Sequence, residues 1–209
     1  MARTPAPGTR ERILAVASRL FYTHGVQAVG LNRIITEART GKNLLYRHFP
    51  TKADLVDAYL REAERIRGGP AGAARAAAAP DPRAQLVALV GEVATRAGLP
   101  GLRGCAFRNY LGEFPPPARG EPAAGAEPDP ADIARRYLRR TRGEVAELVT
   151  ALGVADPELL VDQLWLLVDG LYMQGAYRGH LDEPRVPSRD VAVALAEALI
   201  ERATAAARG

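Results

Sequence analysis

Residues 31–52 read LNRIITEARTGKNLLYRHFPTK, and the fold is decided in them. Two short helical segments, Leu31–Ala38 and Lys42–His48, flank the break Arg39-Thr40-Gly41. In the first, Ile34, Ile35 and Ala38 recur at helical spacing, and Leu45 answers them from the second, so the four can close an apolar seam that fixes the angle between the helices. Gly30 is an acceptable N-cap for the first helix, and Pro50 ends the second. This is the plan of a helix-turn-helix, whose second helix enters the DNA major groove. Lys42, Asn43 and Leu44 open that helix and can face base edges. Asn reads adenine with two hydrogen bonds and Lys reads guanine.

Charge points the same way. The chain has 209 residues with formal net charge +4. Residues 1–50 hold eight Lys/Arg and two Asp/Glu, a net of +6, while residues 51–209 hold twenty and twenty-two, a net of −2. The basic excess sits wholly at the N-terminal end, the footprint of a contact with nucleic acid or another anionic surface.

Working outward, a leading helix is expected over about Arg10–His24. Ile13, Ala17, Leu20 and His24 form its stripe, Leu14 and Phe21 widen it, and Gly25 serves as a left-handed C-cap. Downstream, Thr51 with Asp54 three residues on is a capping box that opens a fourth helix, with Val56, Tyr59, Leu60 and Ala63 on its apolar face. That helix is expected to end near Arg67, because residues 68–80 read GGPAGAARAAAAP, a low-complexity joint. Asp81-Pro82, Asp129-Pro130 and Asp156-Pro157 start the fifth, seventh and eighth helices with Pro in the first turn, and Ser188 caps the ninth, which ends near Ala206. The fifth runs to about Ala97, a short sixth covers about Ala106–Glu113, the seventh ends at Gly153 and the eighth at about Arg178. Residues 115–130, PPPARGEPAAGAEPDP, read as a long loop. The reading is all-α, about nine helices: a three-helix helix-turn-helix domain over 1–50 (the motif at about 31–49), a connecting helix over 51–67, and a helical ligand-binding and dimerisation domain over 81–209.

The run Leu44-Leu45-Tyr46-Arg47-His48-Phe49-Pro50-Thr51-Lys52 closely resembles the signature that ends the DNA-binding domain of the TetR family, Leu-Tyr-x-His-Phe, two residues, then Lys. Ile34, Glu37 and Ala38 are similar to the family's first motif helix, and Leu14, Ala17, Leu20, Phe21 and Gly25 to its leading helix. The resemblance is specific over about residues 9–60. It implies a DNA-binding transcriptional regulator, a homodimer on a pseudo-palindromic operator, and a repressor released by a small hydrophobic effector. It makes Tyr46, His48 and Lys52 phosphate contacts and Lys42, Asn43 and Leu44 base readers. Phe49 is read as core. Arg3 and Arg10 lie on or beside an N-terminal tail that can reach DNA. Two departures stand out. The family usually has Gly where Arg39 stands, and a left-handed backbone there costs a non-Gly residue about 1 kcal/mol, while Gly41 offers the turn another place to bend. Arg39 can also add a DNA contact. Ile35 stands where the family has a smaller Ala.

In the C-terminal half, the eighth helix is apolar nearly all round: Leu160, Leu164, Trp165, Leu167, Val168, Leu171 and Tyr172. It must be buried on two sides, one of them a partner subunit. The ninth helix, with Val191, Leu195, Ala198, Leu199 and Arg202, supplies the other half of a four-helix dimer interface. Where the family's cavity lies, the residues read as ligand-binding are Cys105, Phe107, Asn109, Tyr110, Leu111, Tyr137, Trp165, Tyr172 and Met173, with Gln163 and Gln174 as further polar groups. Ordinary core packing is the competing reading for each aromatic. Gly104-Cys105-Ala106-Phe107-Arg108-Asn109 resembles a Gly-Cys-x-x-x-Asn stretch of one TetR subgroup; Cys105 is read either as a reactive thiol or as a small buried residue. The fourth helix, with Lys52 at one end and Ile66 at the other, is expected to be the only regular element that touches both the DNA motif and the sensing domain.

Other classes fare worse. One cysteine excludes an internal disulfide and fits a reducing cytoplasm, and no apolar run is long enough for a membrane span. His24, His48 and His180 are far apart, and no metal cluster, phosphate loop or catalytic group is expected, so no cofactor, metal or enzymatic activity is read. The alternatives are a helical ligand-binding or scaffold protein with a decayed DNA site, or an enzyme. The partners expected are double-stranded DNA, an effector and a second copy of the chain.

Overall fold

A computed structural model of the chain describes residues 8–115, 129–177 and 188–207, the side chains of 67–75 excepted. The described residues form nine helices and no strand: α1 Thr9–His24, α2 Leu31–Glu37, α3 Lys42–His48, α4 Lys52–Ala78, α5 Pro82–Ala97, α6 Ala106–Glu113, α7 Pro130–Ala151, α8 Pro157–Tyr177 and α9 Arg189–Ala206. The all-α expectation holds. Arg3, Arg178, His180 and the interior of the 115–130 loop lie outside the described residues.

Local chemistry starts most of these helices. Asp81 accepts a hydrogen bond from the Arg83 N–H at 2.9 Å, Asp129 from Ala131 at 3.0 Å and Asp156 from Leu159 at 3.0 Å. Each Asp is followed by a Pro whose missing N–H costs nothing in the first turn. Ser188 accepts from the Val191 N–H at 3.3 Å. Such caps are each worth about 1 kcal/mol. The box at α4 is reciprocal: Thr51 N–H donates to Asp54 Oδ2 at 2.8 Å, and Asp54 N–H to Thr51 Oγ1 at 3.1 Å. The far end of α4 departs from expectation. It continues through Gly68-Gly69-Pro70 to Ala78. The alanines of 71–78 are strong helix formers, but Gly68, Gly69 and Pro70 cost more than they return, so propensity does not account for the extension.

The chain divides into two compact units, Met1–Arg65 with Ala106–Tyr137, and Ile66–Cys105 with Leu138–Gly209. In the first, Ile13, Ala17, Leu20 and Phe21 of α1 are buried with Ile34, Ala38, Leu45 and Phe49, the expected seam and its anchor. Ile35 and Leu14 are half-buried, and His24 is exposed, off the stripe assigned to it, near Arg33. Leu55, Val56, Tyr59 and Leu60 of α4 close this core, the Tyr59 ring tilted against Phe21 with centroids 5.8 Å apart. Phe107 of α6 is fully buried and stacks on Tyr137 of α7 at 3.8 Å.

In the second unit α5 packs on α8 and α9, and α8 on α9. The buried face of α9 is Ala192, Ala196 and Ile200. Small residues there let α5 come close, as side-chain size sets helix separation. A methyl group at Gly91 of α5 would stand 3.2 Å from both Arg189 Nε and Val193 Cγ2. At Gly175 of α8 it would stand 2.7 Å from Leu102 Cδ2 and 3.2 Å from the Ala97 carbonyl oxygen, so the Leu102 side chain would have to shift.

Candidate DNA-binding site

The turn between α2 and α3 takes its left-handed residue at Arg39, with φ +47°, while Gly41 is extended at φ −92° and ψ 153°. The bend therefore stays where Arg39 stands and does not shift to Gly41. Arg39 N–H donates to Thr36 O and Thr40 N–H to Ile35 O, both at 3.1 Å. Those two bonds close the end of α2 with Arg39 itself at positive φ. From α1, Arg12 Nε donates to the Ala38 carbonyl at 3.0 Å, and Glu37 accepts from Arg19 and, at 2.9 Å, from Arg33. The two guanidiniums, Arg19 first, hold the Glu37 carboxyl below its ordinary pKa.

The α3 helix is divided lengthwise. Leu45 and Phe49 are buried, Leu44 and His48 are half-buried, and Lys42, Asn43, Tyr46 and Arg47 are exposed. The exposed four lie on one arc, since positions i, i+1, i+4 and i+5 share a helical face. Tyr46 is 39% exposed, and the Lys42 ammonium stands 6.0 Å from its ring centroid. Arg10 lies 5.0 Å over the Phe49 ring. Lys52, at the start of α4, is half-buried; desolvation lowers its pKa, and the Glu113 carboxylate opposes that shift. Arg39 is exposed beside the turn. So of the residues read as DNA-facing, Arg39, Lys42, Asn43 and Tyr46 reach the surface freely and Leu44, His48 and Lys52 partly. His48 Nε2 is out of water and has no hydrogen-bond partner among the described residues. Arg47 shares the exposed arc but was not among the residues singled out, since the signature leaves its position open. Periodicity within α3 would have found it.

The residues read as ligand-binding fall in both units. Phe107, Asn109, Tyr110, Leu111 and Tyr137 belong to the first, where Phe107 and Tyr110 are buried and the others half-buried. Tyr110 stacks on Phe114 at 4.6 Å, and its hydroxyl is pushed up to about 12, by burial first and by Asp129 second. Cys105, Trp165, Tyr172 and Met173 belong to the second; Cys105 and Tyr172 are buried, Trp165 half-buried and Met173 62% exposed. Met173 lines up with Leu159, Leu166 and Tyr177, also exposed, at intervals of seven, seven and four along α8. The described residues contain no cluster of His, Cys, Asp or Glu able to hold a metal ion, and no helix long and apolar enough to cross a membrane.

One contact within the first unit joins distant parts of the sequence: Gln27, in the turn between α1 and α2, donates its N–H to Glu113 at the end of α6. The partners lie 86 positions apart, and no local signal marks either.

Residues 13–59 match the family model described as bacterial regulatory proteins, tetR family. An HTH-type transcriptional regulator of Staphylococcus aureus (strain USA300) is 43% identical over 53 residues, 25% of this chain; the match spans only 29% of that relative's length. Likeness over the whole chain comes from solved structures. SCO4454, a TetR-family transcriptional regulator from Streptomyces coelicolor, superposes with a TM-score of 0.79 at 30% identity, covering 97% of this chain and 93% of its own. AibR, solved in complex with isovaleryl coenzyme A and operator DNA, shares the fold with a TM-score of 0.65 at 16% identity, covering 92% of this chain and 98% of its own. With a helix-turn-helix of this geometry and a full-length relative at that identity, the chain belongs to the TetR family of bacterial regulatory proteins.

Proposed function

We propose that this protein is a DNA-binding transcriptional regulator, a homodimer that represses from a pseudo-palindromic operator and is released by a small hydrophobic effector. The observation that carries the reading is the two-faced α3: Leu45 and Phe49 are locked in the core, while Lys42, Asn43, Tyr46 and Arg47 stand in one exposed arc. Helices α1–α3 bind DNA, Lys42, Asn43 and Leu44 reading base edges and Tyr46, His48 and Lys52 holding phosphate, with Arg39 and Arg47 adding charge at the margins. Phosphate contacts fix register and base contacts fix sequence.

The dimer reading is supported by the exposed stripe on α8 and by Val191 and Leu195 on α9, which are exposed too. An exposed apolar row of this length on a helix is normally covered by a partner. The effector reading is supported by the aromatic group Phe107, Tyr110 and Tyr137 in the first unit and by Trp165 and Tyr172 in the second. AibR offers a precedent for one protein of this fold holding both an effector and operator DNA. Effector and operator are expected to oppose each other by ~1–3 kcal/mol, reciprocally.

The test is selection of duplexes from a random pool by the wild-type protein, followed by binding of the selected operator. Half-sites are expected about one helical turn, ~34–36 Å, or a multiple apart. Lys52→Ala weakens all sequences alike and flattens the salt dependence, whereas Asn43→Ala relaxes one base pair by about 1–3 kcal/mol. Enrichment of no duplex at low salt would leave a helical ligand-binding protein instead.

A further inference from the structure

Glu113 occupies the last position of α6 and is gripped at both its polar ends. Gln27 N–H donates to its Oε2 at 2.9 Å, and Gln27 Nε2 donates to its main-chain carbonyl. The turn is shaped to admit it. Gly25 has φ +85° and ψ 155°, a region essentially reserved for glycine, and a methyl group there would stand 3.0 Å from both Glu113 carboxylate oxygens. The same carboxylate acts on the Lys52 ammonium. At its other end α6 is anchored by the fully buried Phe107, stacked on Tyr137. One carboxylate thus meets the segment leading into α2. A hydrogen bond to a carboxylate is about twice as strong as a neutral one, so the link transmits force.

We propose that Glu113 is a positioning residue for operator binding, a clamp by which α6 holds the α1–α2 turn. The inference rests on the operator-binding reading above. The carboxylate oxygen, as acceptor, keeps the turn in place. A Gln at 113 retains an acceptor and loses the charge; an Ala loses both. Gln27→Ala removes only the side-chain donor.

The experiment uses full-length wild type, E113Q, E113A and Q27A, with two readouts. Amide hydrogen exchange at Gln27 is measured without DNA, and affinity for the duplex selected by wild type is measured across a salt series. E113A is expected to speed Gln27 exchange roughly tenfold or more, since a hydrogen bond to a charged group is lost, and to weaken operator binding. E113Q, which keeps an acceptor but a weaker neutral one, is expected to speed that exchange less than E113A does and to lose less affinity. Q27A, whose fold is the least disturbed, is expected to fall between wild type and E113A in both readouts. Unchanged Gln27 exchange in E113A overturns the clamp. Faster exchange with wild-type affinity and salt slope in every variant makes Glu113 a structural prop and also overturns the proposal, leaving the operator reading intact. Failure of wild type itself to enrich a duplex removes the operator reading, and the coupling with it, whatever the exchange shows.

Discussion

Arg39 shows what one residue costs when a turn insists on its conformation. Its φ of +47° accompanies the hydrogen bonds that end α2, and the side chain extends into solvent. Comparing Arg39→Gly with Arg39→Ala isolates the backbone, because both lose the side chain. The Gly variant is expected to be the more stable by about 1 kcal/mol, less the freedom glycine gains when unfolded, in urea denaturation. Tyr110 gives a second test. Its hydroxyl is raised to about 12 in the folded protein. Folding therefore favours the neutral phenol, so its contribution is whole below the ordinary tyrosine value near 10 and is lost as pH rises toward 12. Ultraviolet titration of wild type should show a late tyrosinate that Tyr110→Phe removes, and the variant should lose less stability across that range. At this scale the core of the motif was legible: Ile34, Ala38, Leu45 and Phe49 announce themselves by spacing. His24 was misplaced because a stripe drawn at helical spacing continues past the point where the helix runs out of core to cover. Glu113 was invisible, since its meaning depends on a residue 86 positions away.

Helices began where the sequence said they would, because a cap is written in two or three adjacent residues. Asp156 illustrates the device, and Asp156→Ala is expected to cost about 1 kcal/mol in thermal or chemical unfolding, while Glu158→Ala, two residues on and exposed, costs less. Helix ends were harder to read. Gly68-Gly69-Pro70 looked like a stop, yet α4 runs on to Ala78, and local propensity does not explain why. Helix α8 carries the plainest element-level test. Leu166 is 70% exposed in the middle of the Leu159–Tyr177 stripe. Leu166→Glu is expected to convert a species of about twice 22.4 kDa in sedimentation into one of 22.4 kDa, with helical circular dichroism retained. A wild type that sediments as a monomer at micromolar concentration would remove the dimer reading altogether.

For the whole molecule, charge and architecture had both been visible from composition: a basic N-terminal end, helix formers throughout, and no patterned strands. The grouping of helices was not, because periodicity tells which face of a helix is buried and never against what. The first compact unit takes Met1–Arg65 and then, after an interval of chain that belongs elsewhere, Ala106–Tyr137. A consequence follows for anyone building hybrid regulators from this scaffold. Splicing a foreign sensor onto residues 1–50 or 1–67 looks modular on paper, but it discards the α6 residues that hold the α1–α2 turn and leaves Gly25 shaped around a carboxylate that has gone. A graft that keeps the native 106–137 segment beside the reader head is expected to retain operator binding where the simple head-swap loses it. On the operator-binding reading, what must be inherited together is therefore two pieces of chain, and exchange by a single crossover is expected to break it.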